Sequence, residues 1–143
     1  MYKVCAAVQD VKVKTAPLLP ETFAVDVSAV EAAVDGNTRL VFLCSPGNPT
    51  AARVPRADVE ALAASPKLKR CVLIVDEAYV DYSAEPTVAP LVLKYPRLVV
   101  LHTLSKAFGL AGARVGTAIG SEALVSYLNN VSRRRGRVLG GRR

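Results

Sequence analysis

Three short, wholly apolar runs constrain the fold of this chain more than any other feature of its sequence. They are LVFLC at Leu40–Cys44, CVLIV at Cys71–Val75 and LVVL at Leu98–Leu101. A strand without a polar face is typical of a sheet that is covered on both sides, which is the usual situation of parallel strands. A fourth short strand, closed by Gly120, is predicted at Val115–Ile119.

Segments with a helical spacing of apolar residues separate these runs. Asp26 can cap a helix over Val27–Val34, and further helices are predicted over Ala57–Ala64 and Glu122–Asn129. Val11–Thr15 alternates between Val and Lys and is predicted as an additional strand. The alternation of buried strands and helices predicts an α/β fold, with a mostly parallel sheet and helices on both faces.

The 143 residues are enough for one domain of ordinary size. The net charge of +7 belongs mainly to the segment RRRGRVLGGRR, which holds six of the 19 basic residues and leaves thirteen basic against twelve acidic residues elsewhere. Residues 131–143 are therefore predicted as a basic, disordered tail. Nucleic acid is not expected as a partner, and an RNA-associating protein that uses the tail is kept as an alternative.

Cysteine usage and the absence of long apolar stretches indicate a cytoplasmic protein. Three cysteines without a CxxC pair, beside a single histidine, do not form a zinc-site pattern, so no metal is expected. Cys44 and Cys71 lie in or beside apolar runs and are predicted as small buried residues. No stretch approaches the roughly 20 apolar residues that a membrane helix needs, and the first residues do not have the pattern of a signal peptide.

Polar side chains follow each of the three apolar strands, at the edge of a parallel sheet where ligands usually bind. Singly, each of them also has an ordinary structural explanation, such as a turn asparagine, a helix cap, a core tyrosine or a surface lysine. The candidates are Asn48 in the loop SPGNPT, then Asp76 and Tyr79, then Thr103, Ser105 and Lys106 near a predicted strand–helix junction, and Arg114 eight residues further on.

Together these residues supply the groups that pyridoxal phosphate needs. The set contains an amine for a Schiff base, a carboxylate for the ring nitrogen, donors for the ring oxygen and an anion site for the phosphate. Hydrolysis by a serine nucleophile with His102 is the competing chemistry, but no motif places a serine or an acid beside this histidine. Glu77, next to Asp76, is expected to point to the other face of the sheet.

Three motifs carry a resemblance to a known family. SPGNPT, VDEAYVDYS and HTLSKAFGLAGARVG resemble successive signatures of the class II pyridoxal-phosphate aminotransferases of the aspartate aminotransferase fold, and among them the histidinol-phosphate aminotransferases. The resemblance covers residues 1–130 and implies a partial cofactor-binding large domain. It implies amino transfer between histidinol phosphate and 2-oxoglutarate in histidine biosynthesis, by a homodimer that does not bind a membrane.

The same resemblance implies a role for each candidate residue. Lys106 is the amine that bonds to the cofactor and the base that moves the substrate proton, and Asp76 keeps the ring nitrogen protonated. Tyr79 acts with Asn48 on the ring oxygen. The implied catalytic residues are Lys106, Asp76 and Tyr79, and the implied cofactor-binding residues are Asn48, Asp76, Tyr79, Thr103, Ser105, Lys106 and Arg114.

The chain also departs from the pattern of this family. Members are more than twice as long, and the N-terminal phosphate-binding turn, the aromatic residue that stacks on the cofactor and the C-terminal arginine for substrate have no counterpart here. Tyr2 is a poor substitute for the stacking residue. We therefore expect the isolated chain to be inactive. A catalytically inactive truncated remnant, an aminotransferase for aromatic amino acids and a phosphothreonine decarboxylase are the alternatives.

Overall fold

A four-stranded sheet lies at the centre of the computed structural model, which describes residues 2–132. The strands follow the chain in the order β1-β2-β3-β4. They are β1 (Leu40–Cys44), β2 (Val72–Asp76), β3 (Leu98–Thr103) and β4 (Gly116–Gly120). The α-helices are α1 (Tyr2–Val8), α2 (Val27–Ala33), α3 (Arg56–Ala64) and α4 (Glu122–Ser132).

Three of the strands are parallel, and the fourth is not. In β1, β2 and β3 the register places Leu43 opposite Val75 and Val75 opposite Val100. Strand β4 runs antiparallel to β3 and pairs Thr103 with Gly116. No α-helix lies between β3 and β4, and a parallel partner would need such a crossover to return the chain to the same end of the sheet. The sheet is therefore mostly parallel, as the sequence predicts.

One face of the sheet carries the hydrophobic core. Leu73 and Val75 of β2 are buried on this face with Val100 of β3, and α3 contributes Val59 and Leu62. Leu73 and Val75 are two residues apart, as on one face of a strand, and Val59 and Leu62 are three residues apart, as on one face of a helix. Each element therefore presents a continuous apolar surface to the other. The rest of the core cluster consists of Val30, Leu43, Val54, Leu68, Cys71, Val88, Leu91 and Leu98.

The opposite face of β1 is more open. Leu40, Phe42 and Cys44 alternate with the inward residues of this strand and are exposed. The ring of Tyr2, at the start of α1, stacks on Phe42 with 4.5 Å between the ring centroids. The prediction of a buried Cys44 is therefore wrong, because this residue lies on the less covered face, whereas Cys71 is buried as predicted.

One local prediction near the N-terminus is also wrong, and one helix there has no sequence prediction. Val11–Thr15 is not a strand, because its valines are exposed and no neighbouring strand supplies partners for its backbone groups. Its Lys14 side chain instead pairs with Asp35 at 2.6 Å. Helix α1 has no clear signal in the sequence, because it is only seven residues long and has no apolar stripe with a helical period.

The remaining elements agree with the sequence to within three residues. Asp26 caps α2 as predicted, and its Oδ1 accepts a hydrogen bond from the Ala29 N–H at 3.0 Å. Helix α4 continues to Ser132, past the predicted start of the tail at position 131, and residues 133–143 of that tail lie outside the described residues. Within residues 2–132, no helix is long and apolar enough to span a membrane, and no three potential metal ligands cluster.

The core packing of α3 gives a test of this architecture. Leu62 is fully buried, so Leu62→Ala should leave a cavity and lower the free energy of unfolding by about 2–5 kcal/mol. Leu93, which is 90% exposed, is the matched control, and Leu93→Ala should change the same quantity by less than about 0.5 kcal/mol. Urea unfolding followed by circular dichroism measures both. Equal effects of the two substitutions would contradict the assigned core.

Candidate active site

The loops that follow β1, β2 and β3 leave the sheet side by side. The Ser45 N–H donates to the carbonyl of Asp76 at 2.9 Å, and the Glu77 N–H donates to the carbonyl of Leu101 at 2.8 Å. These bonds extend the parallel ladders by one residue beyond the strand ends. The side chains predicted from the three separate motifs are consequently brought to one edge of the sheet.

The loop after β1 presents Asn48 to the loop after β2. Two backbone bonds close the loop around Gly47: its N–H donates to the carbonyl of Ala52 at 2.8 Å, and its carbonyl accepts from the Ala51 N–H at 2.7 Å. The Asn48 side-chain amide then donates to the Tyr79 hydroxyl at 2.8 Å. Two residues that are 31 positions apart in the chain thus form one pair of polar groups.

Lys106 also lies beside Tyr79. Its Nζ is 5.2 Å from the centroid of the Tyr79 ring. The lysine is held on a turn that two bonds close, from the Gly109 N–H to the carbonyl of Lys106 and from the Leu110 N–H to the carbonyl of Leu104, both at 3.0 Å. The expected strand–helix junction at this lysine is therefore a turn, in which Gly109 has a φ of +65° that favours glycine.

These two neighbours change the acidity of the phenol. The hydrogen bond from Asn48 and then the ammonium of Lys106 lower the pKa of Tyr79 below its usual value, because both stabilise the phenolate. Tyr79 can therefore donate a hydrogen bond, or carry negative charge, more readily than an ordinary tyrosine. The amide, the phenol and the amine form a group with the polarity that is needed to hold an anionic oxygen.

Asp76 and Glu77 point to opposite faces of the sheet, as the alternation of a strand predicts. Asp76 Oδ1 accepts from the Ala78 N–H at 3.1 Å, and its Oδ2 accepts from the hydroxyl of Tyr2. Glu77 is buried, and its Oε1 accepts from the Val88 N–H at 2.9 Å while its Oε2 accepts from a threonine hydroxyl. Asp76 therefore faces the candidate site, whereas Glu77 fixes the chain that follows it.

The predicted phosphate-binding residues are only partly assembled. The Thr103 hydroxyl donates to the Ser105 hydroxyl at 3.0 Å and accepts from the Ser105 N–H at 3.2 Å. Arg114 instead donates to the carbonyl of Ala111 at 3.1 Å. Among the hydrogen bonds of residues 2–132, none joins this arginine to the two hydroxyls. Its backbone is in the left-handed region at the end of a short 3₁₀ turn, with a φ of 52°.

Two contacts near the candidate site have no sequence signal of their own. The hydroxyl of Tyr2 reaches Asp76 across 74 positions of the chain. His102 Nε2 lies 2.8 Å from Asp81 Oδ2, and the rings of His102 and Phe108 are nearly perpendicular, with 6.1 Å between their centroids. An acid therefore does accompany His102, although no motif indicates it, but no serine within residues 2–132 bonds to this histidine.

Comparison with known proteins identifies the class to which this fold and site belong. The model of the family described as aminotransferase class I and II matches residues 1–135. This match spans nearly the whole chain, and the chain belongs to that family. The expected aspartate aminotransferase type of fold is confirmed by the structural neighbours described next.

Histidinol-phosphate and aspartate aminotransferases are among the individual relatives. Histidinol-phosphate aminotransferases of Francisella philomiragia and Vibrio vulnificus are 41% and 43% identical, over 92% of this chain and 36% and 37% of theirs. A Thermus thermophilus aspartate aminotransferase double mutant superposes with a TM-score of 0.83 and 28% identity, over 94% of this chain and 36% of the other. The chain thus spans little more than a third of the length of these relatives.

One of the solved structures that match is a complex. It is the histidinol-phosphate aminotransferase of Sinorhizobium meliloti bound to pyridoxal-5'-phosphate. Its TM-score is 0.77 at 27% identity, and the match covers 91% of this chain and 35% of the other. The family and this neighbour imply pyridoxal phosphate as the cofactor of the class.

The contact between Asn48 and Tyr79 can be tested by titration. Asn48→Ala removes a donor that stabilises the phenolate, so the pKa of Tyr79 should rise towards its usual value. The ultraviolet absorbance of the phenolate measures this pKa. The signal of Tyr79 is the difference between each protein and the same protein with Tyr79→Phe. Asn37→Ala, in an exposed turn, should leave the titration unchanged. An unchanged or lower pKa in Asn48→Ala would contradict the contact.

Proposed function

We propose that this chain carries the pyridoxal-phosphate site of an aminotransferase that acts on histidinol phosphate and 2-oxoglutarate in histidine biosynthesis. The observation that carries the proposal is the arrangement of Asn48, Tyr79 and Lys106 beside Asp76 at the carboxyl edge of the sheet. The names of the relatives support the choice of substrate. The expected homodimer and the cytoplasmic location belong to the same proposal.

The side chains fit this cofactor by their chemistry. A pyridoxal phosphate needs an amine, an acceptor for its ring nitrogen, donors for its ring oxygen and donors for its phosphate. Asp76 remains able to accept a further hydrogen bond, because each carboxylate oxygen has a second lone pair beside those used by Ala78 and Tyr2. When bound, the cofactor supplies an aldehyde that condenses with amines and a ring that draws electrons from the substrate carbon.

Each residue would then act at a stated atom. Lys106 Nζ supplies the amine that holds the cofactor and carries the proton to and from the reacting carbon of the substrate. Asp76 keeps a proton on the ring nitrogen through its negative charge. The Tyr79 hydroxyl, oriented by the Asn48 amide, binds the ring oxygen. The proposed donors to the phosphate are Thr103, Ser105 and Arg114.

A second candidate follows from the extent of the chain. Because it covers only 34–37% of the first curated relatives, the groups that contact the substrate are not shown among its residues. An aminotransferase for aromatic amino acids is compatible with the same cofactor site. A chain that keeps the site and does not turn over is compatible with the same arrangement of residues.

Covalent trapping tests the assignment of the lysine. Borohydride reduction of the chain with pyridoxal phosphate should leave the label on the peptide that contains Lys106, and Lys106→Ala should lose it, because only this lysine lies beside Tyr79 among the described contacts. Lys94 is the control, since its ammonium pairs with Glu60 at 3.0 Å away from the site. Lys94→Ala should label normally. A label on Lys94 or Lys3 would refute the assignment.

Turnover should depend on segments that the relatives have beyond the matched region. The 143-residue chain alone should not convert histidinol phosphate and 2-oxoglutarate. A chimera in which this chain replaces the matched 132-residue segment of the Francisella philomiragia enzyme should do so, and its Lys106→Ala variant should not. Product formation by mass spectrometry measures all three. Turnover by the chain alone would show that its own residues complete the site.

A further inference from the structure

The side chain of Tyr2 bridges the open face of the sheet to the candidate site. Its ring stacks on Phe42 of β1 at 4.5 Å and 33°, and its hydroxyl donates to Asp76 Oδ2. Cys44, which pairs with Asp76 in the β1–β2 register, lies beside the same hydroxyl and contributes to its titration. Tyr2 is therefore anchored by its ring on one strand while its polar end reaches the next strand.

With this contact, both oxygens of the Asp76 carboxylate accept a hydrogen bond. The Ala78 N–H holds Oδ1 at 3.1 Å, and without Tyr2 no side chain among residues 2–132 bonds to Oδ2. A carboxylate that is held at both oxygens cannot rotate freely about the bond to its Cβ. A hydrogen bond that a protonated ring nitrogen donates depends on the direction of the acceptor lone pair, so this rotation decides how well Asp76 can accept it.

Tyr2 also remains a hydrogen-bond donor at neutral pH. Burial raises the pKa of this phenol, and the hydrogen bond to Asp76 and the negative charge of that residue raise it further. The phenol therefore remains protonated and can donate only one hydrogen bond, which the structure gives to Asp76. A bond of this kind to a charged acceptor is among the stronger ones in proteins.

We infer that Tyr2 is a positioning residue for Asp76: its hydroxyl fixes the carboxylate in the orientation that receives the ring nitrogen of the cofactor. The inference rests on the proposed function, because it assigns Tyr2 to the same site. Tyr2 would then act on the cofactor indirectly, by orienting Asp76, and not by stacking on the cofactor ring. Its ring is used on Phe42 instead.

A pair of ligands separates this role from a general structural one. Tyr2→Phe keeps the ring on Phe42 and removes only the hydroxyl, so it should weaken the affinity for pyridoxal phosphate about fivefold. The analogue with carbon in place of the ring nitrogen has nothing for Asp76 to hold, so its affinity should not change. Tyr127→Phe, at an exposed position in α4, should change neither. Absorbance titration measures the affinities.

The outcomes distinguish failure of the inference from failure of the proposed function. An equal loss for both ligands, or no loss for either, in Tyr2→Phe would overturn the positioning role. If Asp76→Asn nevertheless weakens the affinity for pyridoxal phosphate and leaves that for the analogue unchanged, the proposed function stands without the positioning role of Tyr2. If Asp76→Asn does not discriminate either, or Lys106 is not trapped by borohydride, the proposed function is overturned as well, and the inference with it.

A measurement without cofactor checks the contact itself. The titration of Tyr2, taken as the difference between the chain and its Tyr2→Phe variant, should move to lower pH in Asp76→Asn, because the negative charge that opposes ionisation is gone. Circular dichroism of each variant shows that the fold is kept. A Tyr2 titration that Asp76→Asn leaves unchanged would overturn the inference, since the hydroxyl would then not be on the carboxylate.

Discussion

The parallel register of β1, β2 and β3 is the constraint on which the rest of the structure depends. It aligns Leu43, Val75 and Val100 in one row of the core, and it ends the three strands at the same edge. Parallel strands end together, so three loops that are far apart in the chain begin within a few ångströms of one another. The burial that stabilises the sheet therefore also fixes where the polar residues meet.

At the end of β2, two neighbouring carboxylates have different roles, one in the fold and one in the candidate site. Asp76 and Glu77 are neighbours with opposite directions, and both are carboxylates. Glu77 is buried and bonds to the backbone of Val88, so its charge is used to order the chain behind the site. Asp76 is only partly buried and keeps lone pairs available for a ligand. The period of two in a strand is sufficient to assign these different roles.

The sequence predicts well what depends on local pattern and less well what depends on distant partners. The apolar runs located β1, β2 and β3, and the residues after them include Asn48 and Tyr79, which the structure joins. The same reasoning failed at Val11–Thr15, where the alternation is present but no strand lies alongside. It also missed the contact of Tyr2 with Asp76, because nothing within a local window indicates a partner 74 positions away.

The position of the Asp76 carboxylate depends on the packing of the core, because Asp76 is next to a core residue in the chain. Val75 is fully buried, and Asp76 follows it directly, so a shift of the strand by a fraction of an ångström moves the carboxylate by a similar amount. The backbone bond at Ala78 moves with the strand, whereas Tyr2 is anchored separately on Phe42. A displaced strand would therefore lose the bond from Tyr2 before it lost the bond from Ala78. The orientation of Asp76 thus depends on the position of α1 relative to the core.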